Sequence, residues 1–321
     1  MLLSAEQIQE FWDRGFLVID RKIAPDSMVK AQTAALRVVE KCANGDYPYC
    51  RADSRISDRE IEKIEHIFHP DVFEPELLKA VVQSKILDYA KEVLNKQDVF
   101  CSFYRMHPTL RYSTWSSWHR DDPVDGRNWT IKATLPLFPE SGFRVVPGSH
   151  KTGDKSMPAN SADNDTDSTF KGNLANQITV PVNAGDILLF HTSIAHRGAC
   201  AGREIYKRAQ LHFRITATEF AHATPRVEDE WTNRPEVLAL CDEGWREVIT
   251  KDLQVGKTYR VTTRKPRSNL KGKLKQLRAR AFYFGSRFLP DDHRWISDPP
   301  TGYVPWVRIE KAHKGMYRRS E

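Results

Sequence analysis

The sequence predicts a mainly β protein with flanking helices, a barrel or sandwich formed by residues 99–220 with helices packed on its outside. From Val99 to about Thr216 the chain breaks into short runs rich in Val, Ile, Phe and Thr, separated by Pro and Gly, which is the pattern of antiparallel strands. Within that stretch Arg208, Gln210, His212 and Arg214 alternate with Ala209, Leu211, Phe213 and Ile215. The apolar set needs a packed layer over it. The polar set, with two arginines, fits the wall of a wet cavity that holds an anion better than a solvated surface.

The helices come first in the chain. Ser4 with Gln7 forms a capping box for a helix running to about Arg14, and Gly15 is placed to end it. A strand, Phe16 to Ile19, follows. Pro25-Asp26-Ser27 opens a second helix reaching about Ala43. Pro75-Glu76 opens a third, with Leu77, Leu78, Val81, Val82, Ile86, Tyr89, Ala90, Val93 and Leu94 at helical spacing. This divides the chain into N-terminal helices (1–98), a β catalytic body (99–220) and a basic C-terminal extension (221–321). Pro147-Gly148-Ser149-His150-Lys151 is a turn, with His150 expected to hydrogen-bond locally and not to bind metal. The polar tract 152–169 is either a surface loop or an active-site lid. Trp115 and Trp118 either shield a site or fill the core, and core packing is the expectation for one of them.

Composition bounds the function. The chain has 321 residues, 40% hydrophobic and 28% charged, enough apolar content for a sizeable core. Five scattered cysteines, Cys42, Cys50, Cys101, Cys200 and Cys241, include no C-x-x-C pair, which argues against a zinc module or disulfide framework and for a reducing compartment. The N-terminus lacks a signal-peptide pattern and no stretch approaches a membrane span, so a cytoplasmic location with no membrane partner is expected. The net charge of +7 is local in origin. Residues 257–287 hold eleven Lys or Arg and no Asp or Glu, leaving the remainder net negative. Such a stripe could bind nucleic acid, an acidic partner or an anionic substrate. A solvated helix over Leu270–Phe284 is favoured, because charge runs usually face water. The segment from Pro299 through Trp306 to Arg319 reads as an irregular tail.

The chemistry lies in Ser117-Trp118-His119-Arg120-Asp121-Asp122 and in Phe190 to Gly198. In extended chain, residues two apart share a face, so His119 and Asp121 can reach one ion. A remote imidazole, His196, completes two neutral nitrogens and one anionic oxygen, the set that suits iron(II) with three adjacent positions left for a bidentate 2-oxo acid and dioxygen. His191 competes with His196, but five residues apart they point to opposite faces, and His196 is favoured. Arg208, twelve residues on, could fork onto the far carboxylate of a dicarboxylic 2-oxo acid. With eleven histidines in the chain, a lone H-x-D arises by chance in about one of two such chains, so the order of several motifs has to carry the case.

That order is present. Phe16-Leu17-Val18-Ile19 after an amphipathic helix, Trp118-His119-Arg120-Asp121, Gly142 to Lys151, and Ala184 to His191 continuing through His196 together resemble the phytanoyl-CoA dioxygenase family over roughly residues 4–216. The resemblance implies a double-stranded β-helix, or jelly roll of cupin type. It also implies iron(II) as metal, 2-oxoglutarate as co-substrate with ascorbate as a supporting reductant, and His119, Asp121 and His196 as ligands, with Arg208 as the anchor for 2-oxoglutarate. The chain departs from the family pattern at Gly198, where a small hydroxyl residue is frequent, and at Arg120, where glutamine is frequent. Relatives that halogenate replace the carboxylate with a small residue, so Asp121 points to hydroxylation or a related oxidation of a small molecule. Arg120, His212 and Arg214 are further candidates for contact with an organic ligand. The other readings are the same chemistry on nucleic acid or protein through residues 257–287, and a non-catalytic jelly-roll binding protein.

Overall fold

The computed structural model describes residues 1–20, 23–44, 47, 50–52, 61–108, 118–122, 124, 126, 129–152, 174–198, 209–223, 232–250, 259–263 and 307–311. The strands are β1 (Phe16–Ile19), β2 (Cys50–Ala52), β3 (Ile61–Ile64), β4 (Val99–Pro108), β5 (Thr130–Pro136), β6 (Glu140–Val145), β7 (Ile178–Val182), β8 (Ile187–His191), β9 (His196–Arg197), β10 (Ala209–Ala217), β11 (Tyr259–Thr263) and β12 (Val307–Lys311). A seven-stranded antiparallel sheet in the order β1-β8-β5-β10-β4-β3-β2 faces a three-stranded sheet, β7-β6-β9, in the double-stranded β-helix arrangement. Three strands of the larger sheet, β1, β2 and β3, precede residue 99, and of these the sequence pattern predicts only β1.

The alternation along β10 sorts two cores. Leu211, Phe213 and Ile215 join Ile131, Ala133 and Leu135 of β5 and Ile187 and Leu189 of β8 on the outer face. There they pack against α1 (Ala5–Arg14), α2 (Pro25–Asn44), α3 (Pro75–Ser84), α4 (Ile86–Leu94) and the helix Glu243–Thr250. The fully buried Ala31, Ala34 and Ala35 give α2 a smooth contact stripe, and each large side chain such as Phe213 contributes about 2–3 kcal/mol by leaving water. On the inner face Phe16, Leu188 and Phe190 meet Phe143, Val145, Val180 and Val182 of the small sheet. With both faces covered, every residue of β8 is buried.

α1 carries the capping box formed by Ser4 and Gln7 and ends at Gly15 in the left-handed region, as its sequence predicts. The third predicted helix is two. Lys85 adopts φ 57°, and the Ser84 hydroxyl donates to Val81 O and accepts from the Ile86 N–H, so α3 ends and α4 starts within one residue. Hydrophobic spacing runs through this break because both helices lie on one apolar surface, which is why spacing alone could not reveal it. Residues 307–311, expected to be irregular, form β12 and pair with β11. The helix expected at Leu270–Phe284, the tract 153–169 and Trp115 lie outside the described residues. Among the described residues no helix is long and apolar enough to cross a membrane.

Gly15 ties α1 to the sheet. Its carbonyl accepts from the His191 N–H at 2.9 Å, while the Gly148 N–H reaches Arg14 O at 2.8 Å. A Cβ on Gly15 would lie 2.4 Å from His150 Nδ1 and 2.9 Å from Ile194 Cδ1, at φ +84°. His150, expected to bond locally, instead bonds through Nε2 to Trp12 O at 3.0 Å, across the fold. Gly15→Ala should therefore cost about 2–4 kcal/mol, combining a left-handed alanine with an overpacked contact. Thermal denaturation of the two proteins measures it.

Candidate metal centre

The segment 118–122 is laid down on the rim of the small sheet by backbone hydrogen bonds. His119 and His196 exchange N–H···O bonds of 3.0 Å in both directions, and the N–H groups of Asp121 and Asp122 reach Thr192 O at 2.9 and 3.0 Å. Extended geometry then separates the side chains as the sequence predicts. Trp118, fully buried, packs with Val146, Leu174 and Ala195 under the Arg197 guanidinium, 4.9 Å from the ring centre. Arg120 donates to the carbonyls of Ser149, at 2.7 Å, and Ser193. It fastens the turn at 148–152.

His119 and Asp121 take the other face and meet His196, one ligand atom from each lying within 4.8 Å of the others. The two imidazole rings lie against each other at a tilt of 49°, centroids 4.3 Å apart, with Phe190 and Phe143 against His196 at 4.9 and 5.7 Å. His196 Nδ1 donates to Ile194 O at 3.0 Å, which leaves Nε2 as the ligand nitrogen. That Nε2 is 3.7 Å from Asp121 Oδ2, too long for a hydrogen bond but suited to two ligands of one ion with bonds of about 2.1 Å. Asp121 Oδ2 is buried and has no hydrogen-bond partner among the described residues. A buried carboxylate oxygen in that condition is costly unless something cationic completes it, so the donor set fits a divalent metal.

Charge at the centre is already in ligand form. Burial alone would raise the Asp121 carboxyl, but Lys132, His196 and His119 outweigh it and hold the group well below the usual carboxylate range. Burial, reinforced by His119 and opposed by Asp121, pushes His196 down to about 3. An ionised carboxylate and a neutral imidazole are what a metal requires. The shift on His196 has a consequence for the apo protein. Between the ordinary value of 6.5 and about 3 the unfolded chain binds a proton that the folded chain refuses, so stability is full above pH 6.5 and declines as pH falls toward 3. Urea midpoints across that window should fall with acidity, and a saturating divalent metal should raise them without removing the slope, because the folded His196 is already unprotonated there.

His191 does not join the group. Its Nδ1 accepts from the Ser193 N–H at 3.0 Å, and its ring lies against His150 at 4.9 Å and Trp12 at 6.0 Å. Arg208 lies outside the described residues. The β10 residues that follow it line the inner face. Gln210 and Arg214 are buried, and His212 bonds Gln210 at 3.1 Å and meets the His107 ring in a tilted contact, centroids 4.4 Å apart, so the polar side of β10 faces an enclosed wall and not bulk water. Arg214 donates to Asp122 Oδ2 at 2.5 Å.

Lys132 was missed from sequence. It pairs in register with Arg214 and places Nζ 2.9 Å from Asp121 Oδ1. The alternation of Thr130, Lys132 and Thr134 with Ile131, Ala133 and Leu135 is the signal that would have found it.

Comparison with known proteins agrees with this geometry. The sequence pattern described as Phytanoyl-CoA dioxygenase (PhyH) matches residues 11–200. Ectoine dioxygenase of Streptomyces anulatus is 23% identical over 163 residues, 47% of this chain and 52% of the relative. The Streptomyces coelicolor ectoine dioxygenase is 26% identical over the same coverage. The chain thus spans about half the length of the curated relatives it matches. Among solved structures, EctD from S. alaskensis with bound Fe superposes with a TM-score of 0.54 at 18% identity, over 68% of this chain and 78% of that one. EctD with 2-oxoglutarate and 5-hydroxyectoine superposes at 0.53 and also 18%. At such identity the superpositions speak for the fold, while the sequence match over more than half of the residues speaks for descent: the chain belongs to the phytanoyl-CoA dioxygenase family.

Proposed function

We propose that the protein is an iron(II)- and 2-oxoglutarate-dependent dioxygenase that hydroxylates, or otherwise oxidises, a small molecule. The observation that carries this is the convergence of His119, Asp121 and His196 on one point, with a buried carboxylate oxygen that nothing else among the described residues satisfies. In this reading those three residues hold iron and Arg208 anchors the co-substrate, the latter on sequence alone. Iron(II) with 2-oxoglutarate and dioxygen as the oxidant would supply the power to break a C–H bond, with succinate and carbon dioxide as co-products. The chain's part is placement. His196 is fixed in one tautomer by Ile194 O, and Phe143 and Phe190 keep water from its flank. EctD, the structural neighbour with 2-oxoglutarate and 5-hydroxyectoine, supports the choice of co-substrate and of a small organic substrate.

The test is a metabolite-pool screen with iron, 2-oxoglutarate, ascorbate and dioxygen, read by substrate-dependent succinate release. Release by the wild type and its loss in Asp121→Ala is the expected result. Absence of 2-oxoglutarate consumption under every condition, coupled or uncoupled, would favour a binding protein on the same fold.

A further inference from the structure

The two oxygens of Asp121 live in different surroundings. Oδ1 accepts from Lys132 Nζ at 2.9 Å, whereas Oδ2 is buried without a hydrogen-bond partner among the described residues and stands 3.7 Å from His196 Nε2. A carboxylate can hold a cation through one oxygen or both, and with two imidazoles the choice decides whether three or two adjacent places stay open. Building on the proposed metal reading, we propose that Lys132 is a positioning residue that confines Asp121 to single-oxygen coordination through Oδ2 and so preserves the third open place on the ion.

The lysine is held where it can do this. It sits mid-strand on β5, its side chain 16% exposed, and in register its neighbour on β10 is Arg214, whose guanidinium takes Asp122. Two like charges side by side on adjacent strands repel unless each is matched. Asp121 and Asp122, consecutive and both anchored by Thr192 O, match them one to one. Turning Asp121 to offer both oxygens to an ion would break a charge-assisted hydrogen bond and leave the ammonium beside both Arg214 and the incoming metal. The register of β5 with β10 thereby reaches the coordination sphere through one side chain.

The competing account is that Lys132 merely fills in for the metal and swings away when the ion arrives. A crystal structure of the full chain loaded with cobalt(II), with and without 2-oxoglutarate, separates the two. The expected result is cobalt on Oδ2 alone, Lys132 within hydrogen-bond distance of Oδ1, and three positions taken by water or the keto acid. Lys132→Met should bring both oxygens onto cobalt with the loss of one coordinated water, seen also in the cobalt X-ray absorption fine structure, and Lys132→Arg should restore the single-oxygen arrangement. A general packing role for Lys132 would not move the coordination shell. Cobalt bound by both oxygens in the wild type, or an unchanged shell in Lys132→Met, overturns the proposal; if that variant does not fold, the wild-type and Lys132→Arg structures decide. Cobalt found away from His119, Asp121 and His196 would instead sink the metal reading beneath it.

Discussion

Asp121→Ala should lower affinity for iron(II), or for cobalt(II) as its stand-in, by more than about 100-fold, the upper end of what losing even an outer partner of a ligand costs. The substitution removes the only anionic donor of the three and the oxygen that is buried without a hydrogen bond. It also strips Lys132 of the carboxylate that matches its charge, so two neutral imidazoles would then face the metal beside an ammonium 2.9 Å from where Oδ1 had been. Calorimetric titration under anaerobic conditions measures the affinity, and succinate release measures the turnover expected to vanish with it. Asp121→Asn, which keeps the shape and loses the charge, should fall almost as far. Near-wild-type affinity in either variant would take Asp121 out of the ligand set and leave the imidazole pair without an anion.

The second large effect is on stability. Arg214→Met should destabilise the protein by about 3–5 kcal/mol, the cost of removing one partner from a buried ion pair and stranding the other. Side chains of Arg214 and Asp122 are each only 10% exposed, and their contact joins β10 to the segment that carries the metal ligands. The double variant Arg214→Met with Asp122→Asn should recover much of the loss, since no bare charge then remains inside. Urea unfolding of the four proteins forms the cycle. A single-variant cost below about 1 kcal/mol, the range of an exposed pair, would show that water reaches Asp122 freely and that the pair does not hold the site together.

How much of this was legible beforehand differs from element to element. The capping box at Ser4 and the left-handed Gly15 were, because they depend on side chains within a few residues of each other. The break at Lys85 was not, since the apolar stripe continues across it. Strands β2 and β3 escaped because Cys50-Arg51-Ala52 and Ile61-Glu62-Lys63-Ile64 are short and mixed in polarity, unlike the continuous apolar run of β1. At the site, His119, Asp121 and His196 were found by two-residue alternation and motif order. Arg120 lay in the same motif, yet alternation turns it to the turn at 148–152, where it fastens backbone carbonyls.

Local pattern therefore determined α1, α2 and the apolar stripe of α3 and α4, the alternating β10, and that His191 and His196 could not both serve one ion, because each follows from which residues share a face of a regular backbone. Only the tertiary structure decided which cations stand next to which carboxylates. Lys132 meets Asp121 and Arg214 meets Asp122 because β5 and β10 pair in one register under a segment pinned to Thr192. Strand register is a long-range contact, set by how two distant apolar faces pack, and no spacing within either strand contains it.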